Sequence, residues 1–274
     1  HEPHRKALAC DVAAILEEKD VMDINNVHAS LLLRVTALRD ARRNRHVGPW
    51  GRIARLAAEY AHMVGVDTDN SYVGGDEIGE LVASGYPERI AMAVGHNGDY
   101  RLSGGGMVSL DSADQLAGYQ WLAIAALHAG NHERGRAFLA APVNISDIND
   151  LTTWVDNITW ITHQGGIVAQ REQRIGQLVV QSKPLTNLDA NRLTTIICNA
   201  VAKEGQGLLD WNDDVRTLQL RVALVAKWHP ELSLPDLTTS HLLSQPETWL
   251  PFWLNRNGHI IITAAELHKI DLTQ

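Results

Sequence analysis

Hydrophobic residues in the first 66 positions recur at the spacing of an α-helix. The stretch "RKALACDVAAILEEKD", residues 5–20, has apolar residues every three or four positions and predicts a first helix. A second helix is predicted from about Ala29 to Arg43, and a third after the helix breaker "GPWG". The predicted buried positions are Leu8, Val12, Ile15, Leu16, then Leu31, Val35, Leu38, then Ile53, Leu56, Ala57, Tyr60 and Val64. Three short amphipathic helices predict a small helical bundle.

The period changes from helical to extended after a fourth predicted helix, about Glu77 to Ser84, which Asp76 caps. Five short β-like runs follow within residues 89–141, separated by turn-forming segments. Five strands without crossover helices favour a small antiparallel barrel of the OB type. Residues 104–106, three glycines, lead into another strand, and the chain contains no Gly-Lys pair. This context favours a strand-to-strand turn over a phosphate-binding loop.

The last part of the chain combines extended runs with helices. Three runs between Thr152 and Leu185 predict a β-meander, and the segments Asn191–Lys203 and Asp213–Trp228 have helical spacing. The predicted fold class is therefore α+β, with several domains. The predicted boundaries are 1–66 for the helical bundle, 67–86 for a connecting helix, 87–150 for the barrel and 151–274 for the meander with its helices.

Composition narrows the classes of protein that this chain represents. No apolar run reaches about 18 residues and the first ten residues lack a secretion signal, so neither a membrane span nor export is expected. A cytoplasmic location follows as an expectation. Cys10 and Cys198 have no nearby partner cysteine and are expected to be buried apolar residues.

The formal net charge is −8, yet one stretch is strongly basic. Between residues 34 and 55 there are seven arginines and a single acid, Asp40. The arginines are Arg34, Arg39, Arg42, Arg43, Arg45, Arg52 and Arg55. Arg39, Arg42 and Arg43 have the spacing of one helix face, and such rows suit contact with nucleic-acid phosphates. The alternative is a solvated face whose arginines pair with acids elsewhere in the protein.

Other candidate residues each have a competing structural interpretation. Tyr100 and Arg101 lie where OB folds often place a stacking ring and a cation, but core packing explains Tyr100 equally well. Arg171 and Arg174 flank Glu172, so a local ion pair competes with contact to RNA. His128 and His132 have the spacing of a metal pair without a suitable third ligand, and no motif suggests a nucleophile. No catalytic residue, metal site or cofactor site is predicted.

Several stretches together resemble one family, the bacterial DExH-box ATP-dependent helicases of the HrpB type, in the region after their two motor lobes. They follow the family's order and span nearly the whole chain: "ALACDVAAILEEKDVM", "GYPERIA", "DYRLSGGGMVSLDSADQLAGYQWLAIAAL", "GRAFLAAPV", "RIGQLVVQSKPL" and "EGQGLLDWNDDVRTLQLRVALV".

The resemblance assigns a domain of the helicase family to three of the predicted domains of this chain. Residues 1–66 resemble part of the helicase-associated helical (ratchet) domain, 87–150 the OB-like domain and 151–274 part of the HrpB-type C-terminal domain. It also implies that ATP and Mg²⁺ act in the motor lobes, whose phosphate loop and DExH box have no match here. The chain is expected to be part of a longer helicase and to hydrolyse no ATP by itself.

Two functions follow from this resemblance. In the first, the region grips single-stranded RNA, or DNA, and communicates with the motor lobes. In the second, it is a protein-interaction scaffold with little RNA affinity, which braces the motor lobes and presents its last domain to another protein. The acidic net charge favours the second function.

Overall fold

The computed structural model describes residues 2–22, 28–128, 134–256 and 259–273. Its mixture of helices and strands confirms the α+β class. The chain divides into two compact units. Unit 1 comprises residues 1–154 and 173–181, and unit 2 comprises residues 155–172 and 182–274. Within the described ranges, no helix is both long enough and apolar enough to cross a membrane.

Four helices begin unit 1, as the hydrophobic spacing predicts: α1 (Glu2–Glu17), α2 (Leu31–Arg43), α3 (Gly51–Met63) and α4 (Gly75–Gly85). The buried stripe of α3 consists of Ile53, Ala57 and Ala61. Val64 was expected in this stripe but is half exposed, because α3 ends at Met63 before the next turn is complete.

The N-cap of α4 differs from the expected one. Gly74 occupies the cap position, and its backbone N–H donates to the Glu77 carboxylate at 3.0 Å. Asp76 therefore does not cap this helix but lies in its first turn, where a negative charge is favourable to the helix dipole.

The five predicted strands close into a barrel: β1 (Ile90–Ala93), β2 (Asp99–Leu102), β3 (Met107–Ser109), β4 (Trp121–His128) and β5 (Arg134–Pro142). The order around the barrel is β1-β2-β3-β5-β4. One pair, β3 with β5, is parallel, and the other four are antiparallel. The predicted small antiparallel barrel is confirmed, and it contains one parallel pair because an odd number of strands cannot close with every neighbour reversed.

The three glycines at 104–106 form the turn between β2 and β3, as predicted. Gly105 and Gly106 have φ angles of +100° and +84°, which residues with a Cβ rarely adopt. A helix does not follow these glycines, so the segment has the geometry of a strand-to-strand turn.

Helix α4 packs directly on the end of β5. A Cβ at Gly79 would lie 1.8 Å from the Pro142 carbonyl oxygen, so only glycine permits this approach of the two backbones. The helices share one apolar cluster, to which the barrel contributes Ile90, Ala123 and Ala141. A second cluster, around Tyr100 and Leu122, fills the barrel interior.

The predicted meander is a three-stranded sheet of order β6-β7-β8, formed by β6 (Thr153–Ile161), β7 (Gly166–Ile175) and β8 (Leu178–Pro184). Unit 2 continues with α5 (Ala190–Leu208), α6 (Asp213–Trp228), α7 (Thr239–Ser244), α8 (Pro251–Leu254), the short hairpin β9 (Asn255–Arg256) and β10 (His259–Ile260), and α9 (Ala264–Leu267). Its core includes Ile197, Val201, Leu250 and Leu254. On α6, only Val215 is buried.

Candidate nucleic-acid interface

Two of the seven clustered arginines share one buried carboxylate. Asp11, on α1, is 1% exposed and Arg39, on α2, is 2% exposed. Arg39 Nε donates to Asp11 Oδ2 at 2.9 Å, and Arg42 Nη2 donates to the same oxygen at 2.9 Å. Two cations around one buried anion stabilise α1 against α2, since an unpaired charge at this depth is costly.

Backbone carbonyls satisfy more of these two guanidinium groups. Arg39 Nη1 donates to the Ser71 carbonyl at 2.8 Å, and Arg42 Nη2 donates to the Asp69 carbonyl at 3.1 Å. The two arginines therefore hold the segment before α4 against α2. Their side chains are engaged inside unit 1 rather than presented to solvent.

Asp69 extends this network to the start of α1. Its carboxylate accepts the Ser71 backbone N–H at 2.8 Å and pairs with the His4 ring. The hydrogen bond from Ser71 holds the pKa of Asp69 below its ordinary value, and the contact with His4 adds to that effect.

Arg34 is also structural in its contacts. Its guanidinium group bonds Asp20 at 2.8 Å through Nη2, and Nη1 donates to the Ser30 carbonyl at 3.0 Å and to the His28 carbonyl. With 4% of its side chain exposed, Arg34 ties the segment before α2 to the start of that helix.

The remaining four arginines of the cluster are exposed. Arg43 pairs with Asp40 on the same helix, and Arg52 Nε lies 2.8 Å from Glu18 Oε1. The side chains of Arg45 and Arg55 have neither a hydrogen bond nor an ion pair within the described part of the chain. We name these four residues, Arg43, Arg45, Arg52 and Arg55, the connection arginines, because they lie in or beside the short connection between α2 and α3.

The predicted face of Arg39, Arg42 and Arg43 therefore divides in two. Arg39 and Arg42 reach Asp11, whereas Arg43 is half exposed beside Asp40. The first two follow the alternative in which arginines pair with acids elsewhere in the chain.

On the barrel, Tyr100 and Arg101 face opposite sides of β2. Tyr100 is fully buried, and its hydroxyl lies 2.9 Å from the Leu116 carbonyl and 2.8 Å from the Tyr119 carbonyl. Burial, and secondarily the Asp114 charge, raise the pKa of Tyr100 to about 12. Tyr100 therefore follows the core-packing alternative and offers no accessible stacking ring, while Arg101 is exposed.

On β7, Arg171 differs from the expected local pairing. Arg171 is exposed, and its Nε lies 3.6 Å from Asp156 Oδ1 rather than beside Glu172. Glu172 is buried and accepts a hydrogen bond from Asn157 at 3.0 Å. Arg174 is partly buried.

Sequence reasoning missed three residues that matter here. Asp11 lies on the apolar face of α1, at helical spacing from Leu8 and Ile15, and a carboxylate in that position signals a buried cationic partner. Arg136 and Phe138 face outwards from β5 and are exposed. Only the strand register and a local irregularity, described below, show their direction.

Among the described residues there is no arrangement that resembles a phosphate loop or a magnesium site. The glycine turn lacks the helix and lysine of a phosphate loop, and in the described ranges no three His, Cys, Asp or Glu side chains could hold a metal ion. His132 lies outside the described residues, so its predicted pairing with His128 has no structural outcome.

Three comparisons with known proteins agree in finding similarity to HrpB helicases. A family model described as "ATP-dependent RNA helicase HrpB, connector region" matches residues 151–185, the stretch that forms the β6-β7-β8 sheet. The ATP-dependent RNA helicase HrpB of Escherichia coli (strain K12) is 29% identical over 249 residues. That alignment covers 89% of this chain and 29% of the relative.

Solved structures agree with this relative. The structures titled E. coli DExH-box NTPase HrpB and Escherichia coli DEAH/RHA helicase HrpB are each 26% identical, with TM-scores of 0.54 and 0.55. Each match covers 97% of this chain and 31% of the solved chain. The chain therefore spans less than a third of the length of these relatives. The resemblance found in the sequence is confirmed: over nearly its whole length the chain is similar to the C-terminal region of HrpB, a DExH-box helicase.

Proposed function

We propose that this chain is an accessory region of an RNA helicase that binds single-stranded nucleic acid through the connection arginines. The observation that carries the proposal is the exposure of Arg45 and Arg55 without a partner in the described part of the chain. Three other arginines of the same run, Arg34, Arg39 and Arg42, already have internal partners.

Phosphate groups suit the exposed arginines on physical grounds. A guanidinium group binds a phosphate through two parallel hydrogen bonds, without regard to base sequence. The ion pairs of Arg43 and Arg52 are exposed, and such pairs contribute about 0–1 kcal/mol to stability. A phosphate can replace those carboxylate partners at little cost, so all four connection arginines can contribute to binding.

Coupling to ATP hydrolysis belongs to the same proposal. The relatives are more than three times as long as the matched region, and this chain has no phosphate loop or DExH box. We place ATP and Mg²⁺ in motor lobes outside this chain. The role of this region is then to hold the nucleic acid while those lobes change conformation.

A binding titration tests the proposal. A fluorescently labelled single-stranded RNA of about 12 nucleotides is titrated with the chain at several salt concentrations, and anisotropy reports binding. Changing both Arg45 and Arg55 to glutamine should weaken binding about tenfold at low salt and reduce the salt slope by about 1.4. The same titration with DNA shows whether the sugar matters.

The matched control changes Arg216 and Arg221 on α6 to glutamine, because both are exposed and the net charge changes equally. Equal weakening by both double variants would show a general charge effect and contradict the proposed site. Variants at Arg39 and Arg42 are unsuitable for this test, since they disturb the buried network.

A specific feature of α6 favours the second function, a protein-interaction scaffold. Leu220, Leu224 and Trp228 follow one another at four-residue intervals and are 72%, 57% and 71% exposed. By helical geometry, Arg221 flanks this apolar stripe on one side, and Arg216 and Lys227 flank it on the other. An amphipathic helix with acidic residues beside its apolar face would complement both properties.

Two designed peptides distinguish this scaffold function from self-association. Both form amphipathic helices with the same leucine stripe, one flanked by glutamate and one by lysine. The glutamate peptide should bind the chain, and Leu224→Gln should abolish that binding. Equal binding of the two peptides, or occupation of the stripe by a second copy seen in sedimentation, would contradict the proposed partner.

A further inference from the structure

The outer surface of the barrel carries basic and aromatic side chains that the proposed site on the helices does not use. Tyr100 points into the barrel, so its neighbours Asp99 and Arg101 on β2 point outwards. On β5, Arg134, Arg136 and Phe138 are all exposed, whereas Ala137 is buried between two of them. We name as the barrel face the residues Asp99, Arg101, Met107, Arg134, Arg136 and Phe138.

Strand register places these side chains in adjacent rows. Arg101 lies opposite Met107, which in turn lies opposite Arg134. Two residues along each strand, Asp99 lies opposite Ser109, and Ser109 lies opposite Arg136. Residues in register on neighbouring strands are about 5 Å apart at their Cα atoms, so the three arginines lie within the span of a few nucleotides.

Phe138 reaches solvent because of an irregularity in the β4-β5 ladder. Leu127 pairs with Ala137 and Ala126 pairs with Leu139, so Phe138 has no partner on β4. This β-bulge turns the ring outwards, where it is 43% exposed, and lets both neighbours remain buried. The Arg136 guanidinium carbon lies 5.9 Å from the centre of the ring.

The charges of the barrel face are not balanced internally. Arg134 Nη1 lies 3.2 Å from Asp99 Oδ2, which pairs one cation with the one acid of the face. The side chains of Arg101 and Arg136 have no hydrogen bond or ion pair to any described residue. A single exposed aromatic ring is ordinary on a protein surface. Here, however, a β-bulge accompanies the exposed ring, and two arginines without an acidic partner lie on the same face. This combination is less common than a single exposed ring.

We propose that the barrel face is a second binding site for single-stranded nucleic acid, in which one base stacks on Phe138. Arg136 holds a phosphate next to that base, and Arg101, on β2, holds a phosphate farther along the nucleic-acid strand. The inference rests on the proposed function for its ligand class, but it uses none of the connection arginines. Stacking on a ring is tolerant of sequence, because every base has an aromatic face.

The test compares a 12-nucleotide oligouridine with the same oligomer in which every base is replaced by an abasic sugar. The protein is the full 274-residue chain, either unchanged or carrying Phe138→Leu, Phe138→Tyr or Arg136→Gln. Phe138→Leu should weaken oligouridine binding about fivefold or more and leave abasic binding unchanged. Phe138→Tyr should restore oligouridine binding, and Arg136→Gln should weaken binding of both oligomers.

Each result has a distinct meaning. Equal oligouridine affinity of the unchanged chain and Phe138→Leu would overturn the stacking site. Oligouridine binding weakened only by the Arg45 and Arg55 double variant would leave the proposed function standing and overturn this inference alone. Absence of binding by the unchanged chain at low salt would overturn both. Phe138 is exposed, so unaltered melting temperatures should show that all variants are folded.

Discussion

The buried arginines of α2 and the connection arginines belong to one basic run of the sequence, yet their burial and their contacts differ. Arg39 and Arg42 donate to the buried Asp11 carboxylate, and each also donates to one backbone carbonyl. The side chains of Arg45 and Arg55 are exposed to solvent and have no hydrogen bond or ion pair in the described ranges.

The difference teaches that a dense run of arginines is not by itself a binding surface. The direction of each side chain depends on whether an acid lies within its reach on a neighbouring segment. Asp11 meets that condition for Arg39 and Arg42, and Asp20 meets it for Arg34. The side chains of the remaining four arginines are themselves exposed. The two aromatic rings of the barrel show the same difference, since Tyr100 is buried and Phe138 is exposed.

The largest expected effect comes from removing the shared carboxylate. Asp11→Ala leaves two arginines without their buried anion, and breaking such a pair typically costs about 3–5 kcal/mol of unfolding free energy. Urea unfolding followed by circular dichroism measures the change. Asp40→Ala, which removes the exposed partner of Arg43, is the control and should cost less than about 0.5 kcal/mol. Similar values for the two variants would break the distinction between buried and exposed arginines.

A smaller effect is expected from the buried ring of the barrel. Tyr100→Phe leaves the Leu116 and Tyr119 carbonyls without their hydroxyl donor and should cost about 1–2 kcal/mol. Phe138→Leu, at the exposed ring, should change stability by less than about 0.5 kcal/mol. Thermal unfolding of both variants provides the measurement, and a reversed order would contradict the assignment of inner and outer rings.

Acid should weaken the part of the buried network that Asp69 holds. The folded protein lowers the pKa of Asp69, so this carboxylate contributes stability above its unfolded pKa of about 3.9. That contribution decreases as the pH falls below about 4. We expect Asp69→Asn to cost about 1 kcal/mol at pH 7, with a difference that narrows towards pH 2. Unfolding curves at a series of pH values measure this, and a pH-independent difference would contradict it.

The smallest effect on stability is expected from the exposed pair. Changing Arg45 and Arg55 to glutamine should leave the unfolding free energy within about 0.5 kcal/mol of the original value. The same double variant should lose nucleic-acid affinity, so the comparison of unfolding with titration separates structure from binding. A loss of more than 1 kcal/mol would instead give these arginines a structural role.

Local patterns predicted much of the fold. The helical spacing located all four helices of unit 1, and α6 has the predicted bounds, Asp213–Trp228. The five barrel strands and the three-stranded meander also follow from alternation and turn residues. These features depend on neighbours within a few residues, which is the range that a sequence pattern reports.

The candidate site was harder to predict, because it depends on contacts between distant residues. The burial of Arg39 requires Asp11 on another helix, 28 positions earlier. The direction of Phe138 requires a one-residue shift between β4 and β5, which no alternation of polar and apolar residues in β5 alone reveals. Register and bulges arise from pairing between strands, so the outward ring became visible only in the structure.

The missing side chain of Gly79 has a mechanical consequence. With the backbone of α4 resting on the Pro142 carbonyl, there is no layer of side chains between them that could compress. Helix α4 is also tied to α1 by the Arg5–Glu80 pair at 2.6 Å. A displacement of β5 therefore moves α4 directly, because no side chain lies between the two backbones to absorb the movement.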